Sequence, residues 1–260
     1  NGLTRWGGEQ IDNISFPLIM AYQLAEAGID FEEVSYDYIN VKRSADYVAR
    51  NGPATAQERW EEEAGYSPSS IAAEVAGLVS AADLAIDAGK TADALVWLAL
   101  ADNWTDRVEE WCATKTGTQL HTNTPYYVRV TRDGNPEAGH LRTLANAGPT
   151  LDEREIIDGG FLELTRLGIK PADDDVITNS LVEVDETIRL DTPQGPAFYR
   201  YNGDGYGERA MGEKGAPWSV QTKGKGRLWP IFTGERGEYE LLAGTDEGEL
   251  APRNLLETMA

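Results

Sequence analysis

The chain has 260 residues, 41% of them hydrophobic, and a net charge of −21 from 44 acids against 23 bases. That balance repels nucleic acid and anionic membrane, so neither is expected as a partner, and a neutral substrate fits better. A single cysteine, Cys112, excludes an internal disulfide.

The length suits one large core, and no domain boundary is forced. No apolar run reaches the roughly 18 residues needed to span a bilayer. The opening NGLTRWGGEQ lacks the basic start and apolar block of a signal peptide. The chain reads as soluble, and as a mature piece of a secreted or periplasmic protein. Seven tryptophans and eleven tyrosines are many for this length. They fill a core, or they line a sugar-binding cleft, where aromatic faces pack on the apolar faces of pyranose rings.

Apolar residues at helical spacing place a first helix over Asp12 to Ala27, ended by Gly28, and a second over Tyr36 to Arg50. Ser67 stands where an N-cap belongs, with Pro68 at the first helical position, and the alanine-rich run that follows extends to Gly89. Thr91 to Thr114 predicts a fourth helix, Leu151 to Leu167 a fifth closed by Gly168, and Asp174 to Glu186 a sixth; Phe232 to Ala243 and Pro252 to Ala260 give weaker helical patterns. Strand signals are sparse. YYVRVTRDGNP reads as a strand entering an Asp133-Gly134 turn, TIRLDTPQGPAFYRY as short strands, and Arg200 to Arg227 as long aromatic loops. No short repeat appears beyond this rhythm. Helices joined by long loops predict an all-α barrel or toroid, because bundles prefer short connections.

The stretch QERWEEEAGY sets Trp60 directly before Glu61, Glu62 and Glu63. One reading is a solvated charged turn. The other is chemical: a carboxyl held against an indole is desolvated, which favours its protonated form, and a neighbouring carboxylate adds to the effect. Such an acid can donate a proton to a glycosidic oxygen. Other features read structurally. His121 and His140 stand too far apart for a metal pair, and Cys112 sits in a helical run as a buried thiol. Asp173, Asp174 and Asp175 open a helix, where acids favour the dipole. NGDGYGE offers oxygens without the spacing of an EF-hand loop, and KGKGR reads as a surface turn.

The segment NGPATAQERWEEEAGYSPSSIAAEVAGLVSAADLA resembles the catalytic-acid segment of glycoside hydrolase family 15, the inverting glucoamylases and their bacterial glucodextranase relatives. RWGGEQIDNISFPLI, LADNWTDRVEEWCATKTG, DEREIIDGGFLELTRLGIK, DTPQGPAFYRYNGDGYGE and GRLWPIFTGERGEYELLAG resemble further blocks of the bacterial branch, in order and over essentially the whole chain. The resemblance implies an (α/α)6 barrel, of which about seven or eight of twelve helices fall in this chain. It implies Glu61 as general acid, Glu62 as a ligand of sugar hydroxyls, and Trp60 as a wall of the site. Trp6 matches a cleft tryptophan, with Gln10 on the same loop; Arg200 and Tyr201 match an arginine-aromatic pair near the acceptor sugar, and Trp229 another cleft aromatic. For Arg200 the plain alternative is a surface salt bridge, and for Trp6 and Trp229 it is core packing.

An inverting glycosidase needs a second carboxyl about 6.5–9.5 Å away to activate water. The resemblance places that base in a Pro-Glu-Gln-type segment beyond Ala260, and a glucose-gripping Arg-Asp pair, the first barrel helices and a β-sandwich upstream of Asn1. The expectation is therefore an exo-acting, inverting hydrolase that releases β-glucose from α-glucan ends, completed by complementary chains. Two alternatives are a non-catalytic α-glucan-binding or regulatory protein and a glucosyl-transferring relative. No organic cofactor and no metal ligand are implied; a structural calcium stays open, as does the preferred linkage, α-1,4 or α-1,6.

Overall fold

The computed structural model describes residues 8–29, 37–117, 124–209, 211, 216 and 224–260. Trp6 and His121 lie outside them. Four long helices come first: α1 (Asp12–Glu26), α2 (Tyr38–Asn51), α3 (Pro68–Asp87) and α4 (Thr91–Cys112). Helix α3 packs against all three others, and its small residues permit that. A Cβ on Gly77 would meet Ser15 of α1 at 3.0 Å, so the two backbones approach as closely as glycine allows. Ile71, Ala72, Leu78, Ala81 and Ala85 of α3 are fully buried, as are Leu18, Ala45, Val48, Val108 and Cys112 on its neighbours.

Helix α3 departs from the reading of the sequence in one respect. It has 20 residues and a mean hydropathy of 1.4, so by length and composition it could cross a membrane. Its apolar surface is instead spent on the core, with 78% of its most apolar 18-residue stretch buried inside the protein. Ser67 does occupy the N-cap position, but its hydroxyl lies 3.1 Å from that of Ser69 and caps no helical N–H.

The second half is less helical than expected. Strand β1 (Ala113–Thr114) pairs with β2 (Tyr126–Tyr127), and β3 (Leu141–Thr143) with β4 (Thr150–Asp152). The helix expected over Leu151 to Leu167 is therefore wrong over most of its length. Its first residues belong to β4, 3-10 turns follow at Glu153–Glu155 and Gly159–Phe161, and only α5 (Leu162–Arg166) is α-helical. The physical reason is Asp158: its carboxylate accepts the Gly160 N–H, an alternative to helix that the adjacent glycines accept readily. Asp174 caps α6 (Asp175–Thr187) by accepting the N–H groups of Val176 and Ile177. The expected short strands are β5 (Arg189–Thr192) and β6 (Gly195–Phe198), a hairpin. The region read as loops and surface turn carries β7 (Gly207–Arg209) paired with β8 (Gly224–Gly226). Helices α7 (Pro230–Ala243) and α8 (Pro252–Met259) close the order and pack on each other.

Midway along α3, Glu74 is 0% exposed, and neither carboxyl oxygen has a hydrogen-bond partner among the described residues. Burial, with Asp12 and Glu9 adding negative charge, holds its carboxyl well above the ordinary 4.5. An acid kept protonated by the fold yet free to ionise when unfolded costs stability as pH rises from about 4.5 toward its folded value. Replacing Glu74 by Met should therefore raise the thermal midpoint more at pH 8 than at pH 4, with a gain of about 2 kcal/mol at the higher pH. An equal difference at both pH values would show that the carboxyl carries no proton-linked cost.

Candidate active site

The chain between α2 and α3 folds back on itself. Thr55 and Gly65 form a two-way backbone bridge, the Glu58 N–H donates to the Glu63 carbonyl at 2.9 Å, and the Glu61 N–H donates to the Glu58 carbonyl at 2.7 Å. The tip Arg59-Trp60-Glu61-Glu62 therefore projects from a closed ladder. Gly65 sits at φ +140°, and a Cβ there would lie 2.1 Å from the Thr131 carbonyl oxygen. Only glycine lets the loop lie against the extended segment 126–131, to which Tyr66 bonds at Thr131 in both directions.

The three glutamates point to three environments. Glu61 has φ +60°, a left-handed conformation that costs a non-glycine residue about 1 kcal/mol or more. Its exposed carboxyl makes no hydrogen bond or ion pair among the described residues. It opens on a depression of about 430 Å³ shared with Gln10, Gln57 and Tyr47. Gln10, expected on the loop of Trp6, thus lines the same depression as Glu61.

Glu62 is 9% exposed at its side chain and held on all sides. One oxygen accepts from Asn146 Nδ2 at 2.8 Å and Arg200 Nη2 at 3.0 Å; the other accepts from Arg129 Nη2 at 2.8 Å and from the Tyr201 hydroxyl. A carboxylate offers about four lone-pair positions, and here protein donors fill them. A sugar hydroxyl reaches Glu62 only by sharing one. Glu63 faces away and pairs with Arg142, which also donates to Glu153 at 2.9 Å.

Arg200 is buried rather than a surface ion pair. Its guanidinium grips Asp204 through two bonds of 2.7 Å and lies over the rings of Tyr206 and Trp60 at 4.9 and 5.3 Å. Burial disfavours its charge, but Asp204 and Glu62 more than offset that, so its affinity for the proton rises. Asp204, the first acid of NGDGYGE, accepts from this arginine with both oxygens, and one of them also accepts the Tyr206 N–H at 2.7 Å. Tyr201 is held protonated chiefly by burial, which fits its hydroxyl as the donor to Glu62.

Trp60 is a structural junction. Its indole N–H donates to Asp158, its ring meets Phe232 of α7 edge-on at 5.3 Å, and Arg59 covers it at 4.3 Å while pairing with Glu235. Trp229 is half-buried and stacks on Tyr206 at 6.1 Å, so it is joined to the Arg200 group through that ring. Glu58, Arg129 and Asn146, which contact Glu62 directly or through one partner, were not anticipated from sequence, and neither were Arg59 and Asp158 around Trp60. Asn146 reaches Glu62 from the β3–β4 turn, where it and Ala147 both have positive φ.

Residues 1–255 match the model of Glycosyl hydrolases family 15. The chain belongs to that family. It is 44% identical to a glucoamylase of Clostridium sp. (strain G0005) over 246 residues, which is 95% of this chain and 33% of that protein. It superposes on the crystal structure of a bacterial glucoamylase complexed with acarbose with a TM-score of 0.87 and 41% identity, covering 99% of this chain and 35% of that one. The chain thus spans about a third of the length of the curated relative it matches. Its helices are an incomplete (α/α)6 toroid, as the resemblance implied, and the helix-and-loop rhythm alone had pointed to a barrel or toroid. In this family member the Trp60–Glu62 tip stands at the mouth of the α2–α3 connection, braced by α7.

Because Gly65 sets the approach of the loop to Thr131, Gly65→Ala should cost about 3 kcal/mol or more, from strain and from the close contact. Chemical denaturation measures it. A midpoint equal to the parent's would contradict the seating of the loop described above.

Proposed function

We propose that the site acts in an exo-acting, inverting glycoside hydrolase that releases β-glucose from the non-reducing ends of α-glucans. The observation that carries this reading is the separation of three adjacent glutamates. Glu61 alone faces the open depression with its carboxyl free among the described residues, while Glu62 and Glu63 are tied by arginines. A proton donor must reach the leaving oxygen, and Glu61 is the member of the run able to do so. Glu62 and Arg200 bind sugar hydroxyls, Glu62 by sharing an acceptor position that Tyr201 helps to hold, with Gln10 beside the acid, and Trp6, Trp60 and Trp229 supply the aromatic walls. The glucoamylase relative and the likeness to the acarbose complex support an α-glucan as substrate.

Inversion requires a second carboxyl about 6.5–9.5 Å from the acid, on the opposite face of the sugar, to activate water. We assign it to sequence outside these 260 residues, on complementary chains of the same enzyme or elsewhere in the same polypeptide. The proposed activity is that of the completed domain.

In the complete enzyme, Glu61→Gln should lower kcat on a malto- or isomalto-oligosaccharide by about 10²- to 10⁴-fold while KM changes little. NMR of the first turnovers in the parent should show the β-anomer of glucose. Normal turnover by the Gln variant would overturn the assignment of the acid, and a first-formed α-anomer would overturn inversion.

A further inference from the structure

Beneath the tip lies an ion pair that the proposed chemistry does not use. Glu58 and Arg129 each have a side chain only 1% exposed, and they come from segments 71 residues apart. Arg129 Nη2 donates to Glu58 at 2.7 Å and to Glu62 at 2.8 Å. Its guanidinium lies 3.8 Å from the centre of the Tyr201 ring, and the hydroxyl of that tyrosine is itself a donor to Glu62. The second oxygen of Glu58 accepts the backbone N–H of Trp60 at 3.0 Å.

These contacts make one continuous path. The Glu58 carboxylate holds the N–H of the Arg59–Trp60 peptide, and the Glu58 carbonyl accepts the N–H of Glu61 itself. Through Arg129 the carboxylate also fixes the side chain just after Glu61. Glu61, the residue between, has a backbone held at φ +60° and an unbound carboxyl. Two anchors flank a strained residue, and both run to the same buried pair.

We infer that Glu58 and Arg129 form a positioning pair for the reaction, setting the direction of Glu61 and the seat of Glu62 without touching substrate. The inference rests on the assignment of Glu61 as acid. Burial argues for a positional role over a stabilising one. Two ionised groups removed from water seldom repay their desolvation, and apolar residues of similar volume would stabilise the same space as well or better. What an apolar pair lacks is direction: it cannot hold a peptide N–H and a carboxylate at fixed separations. An error of about 1 Å in a catalytic group costs on the order of 10²-fold in rate.

The test uses the complete enzyme. Glu58→Asp keeps the charge but shortens the reach by one methylene, about 1.5 Å. The double variant Glu58→Gln/Arg129→Met removes both charges together, so neither is left buried alone. For each, kcat and KM on a malto- or isomalto-oligosaccharide are compared with the thermal midpoint and the folded fraction by circular dichroism. The expected result is a fall in kcat of about tenfold or more, with KM moved less than threefold and the midpoint within about 5 °C of the parent. Glu58→Asp with kcat within twofold of the parent overturns the inference. So does a loss of activity that only tracks a loss of folded protein. If the double variant does not fold, Glu58→Asp alone decides. Glu61→Gln is measured beside them: if it keeps turnover, the assignment of the acid fails, whereas if it is inactive and Glu58→Asp is not, only the positioning pair fails.

Discussion

Four donors on one carboxylate hold this site together. Glu62 accepts from Arg129, Asn146, Arg200 and Tyr201, which come from the extended segment after β2, the β3–β4 turn and the loop after β6. No two of those segments pair with each other in a sheet among the described residues. The carboxylate is where they meet. Charge-assisted bonds are shorter and stronger than neutral ones, so a single group can align loops that hydrophobic contact would leave free to slide. The second tie is Asp158, which takes the Trp60 indole N–H and bridges through its backbone to Tyr201. Helix α7 then supports the assembly from outside through Phe232 and Glu235.

The run of three glutamates follows from this. Adjacent side chains on an extended strand would alternate, and two of the three would share a face. The left-handed turn at Glu61 breaks the alternation. It sends Glu62 inward to the arginines and Glu63 to Arg142, and leaves Glu61 facing out. Like-charge repulsion within the run is answered by giving Glu62 and Glu63 their own cations. The backbone strain that achieves this is small beside the packing around Gly65 and Thr131.

Much of the helical frame was legible in the sequence. Helices α1 to α4 follow apolar spacing, with a glycine just past the ends of α1, α2 and α3, and Asp174 marks α6, because those signals act within one or two turns. Trp60, Glu61, Glu62, Arg200 and Tyr201 were legible as a group only through resemblance. Glu58, Arg129 and Asn146 were not legible: their pairings join residues 67 to 84 positions apart, and no local pattern encodes them. A weak signal existed in VRV, where an arginine interrupts an apolar strand at Arg129. A charge flanked by buried valines must find a partner inside. The fifth helix failed for the opposite reason. DEREIIDGGFLEL has the right spacing on paper, but an acid placed before two glycines gives the backbone a better local bond than the helix does.

The distribution of charge completes the picture. A chain with a net charge of −21 might be expected to keep its carboxylates apart in solvent. Here Glu58, Glu62, Glu63, Glu153, Asp158 and Asp204 crowd one region, with Arg59, Arg129, Arg142 and Arg200 among them. Buried ion pairs of this kind contribute little net stability, because desolvation consumes most of what attraction supplies. A fold selected for stability alone would fill that space with apolar side chains, as α3 and its neighbours largely do with alanine, isoleucine, leucine and valine. The network gives fixed direction instead. Each of these carboxylates is matched to donors, and this leaves Glu61 as the member of the run that faces outward without a partner among the described residues.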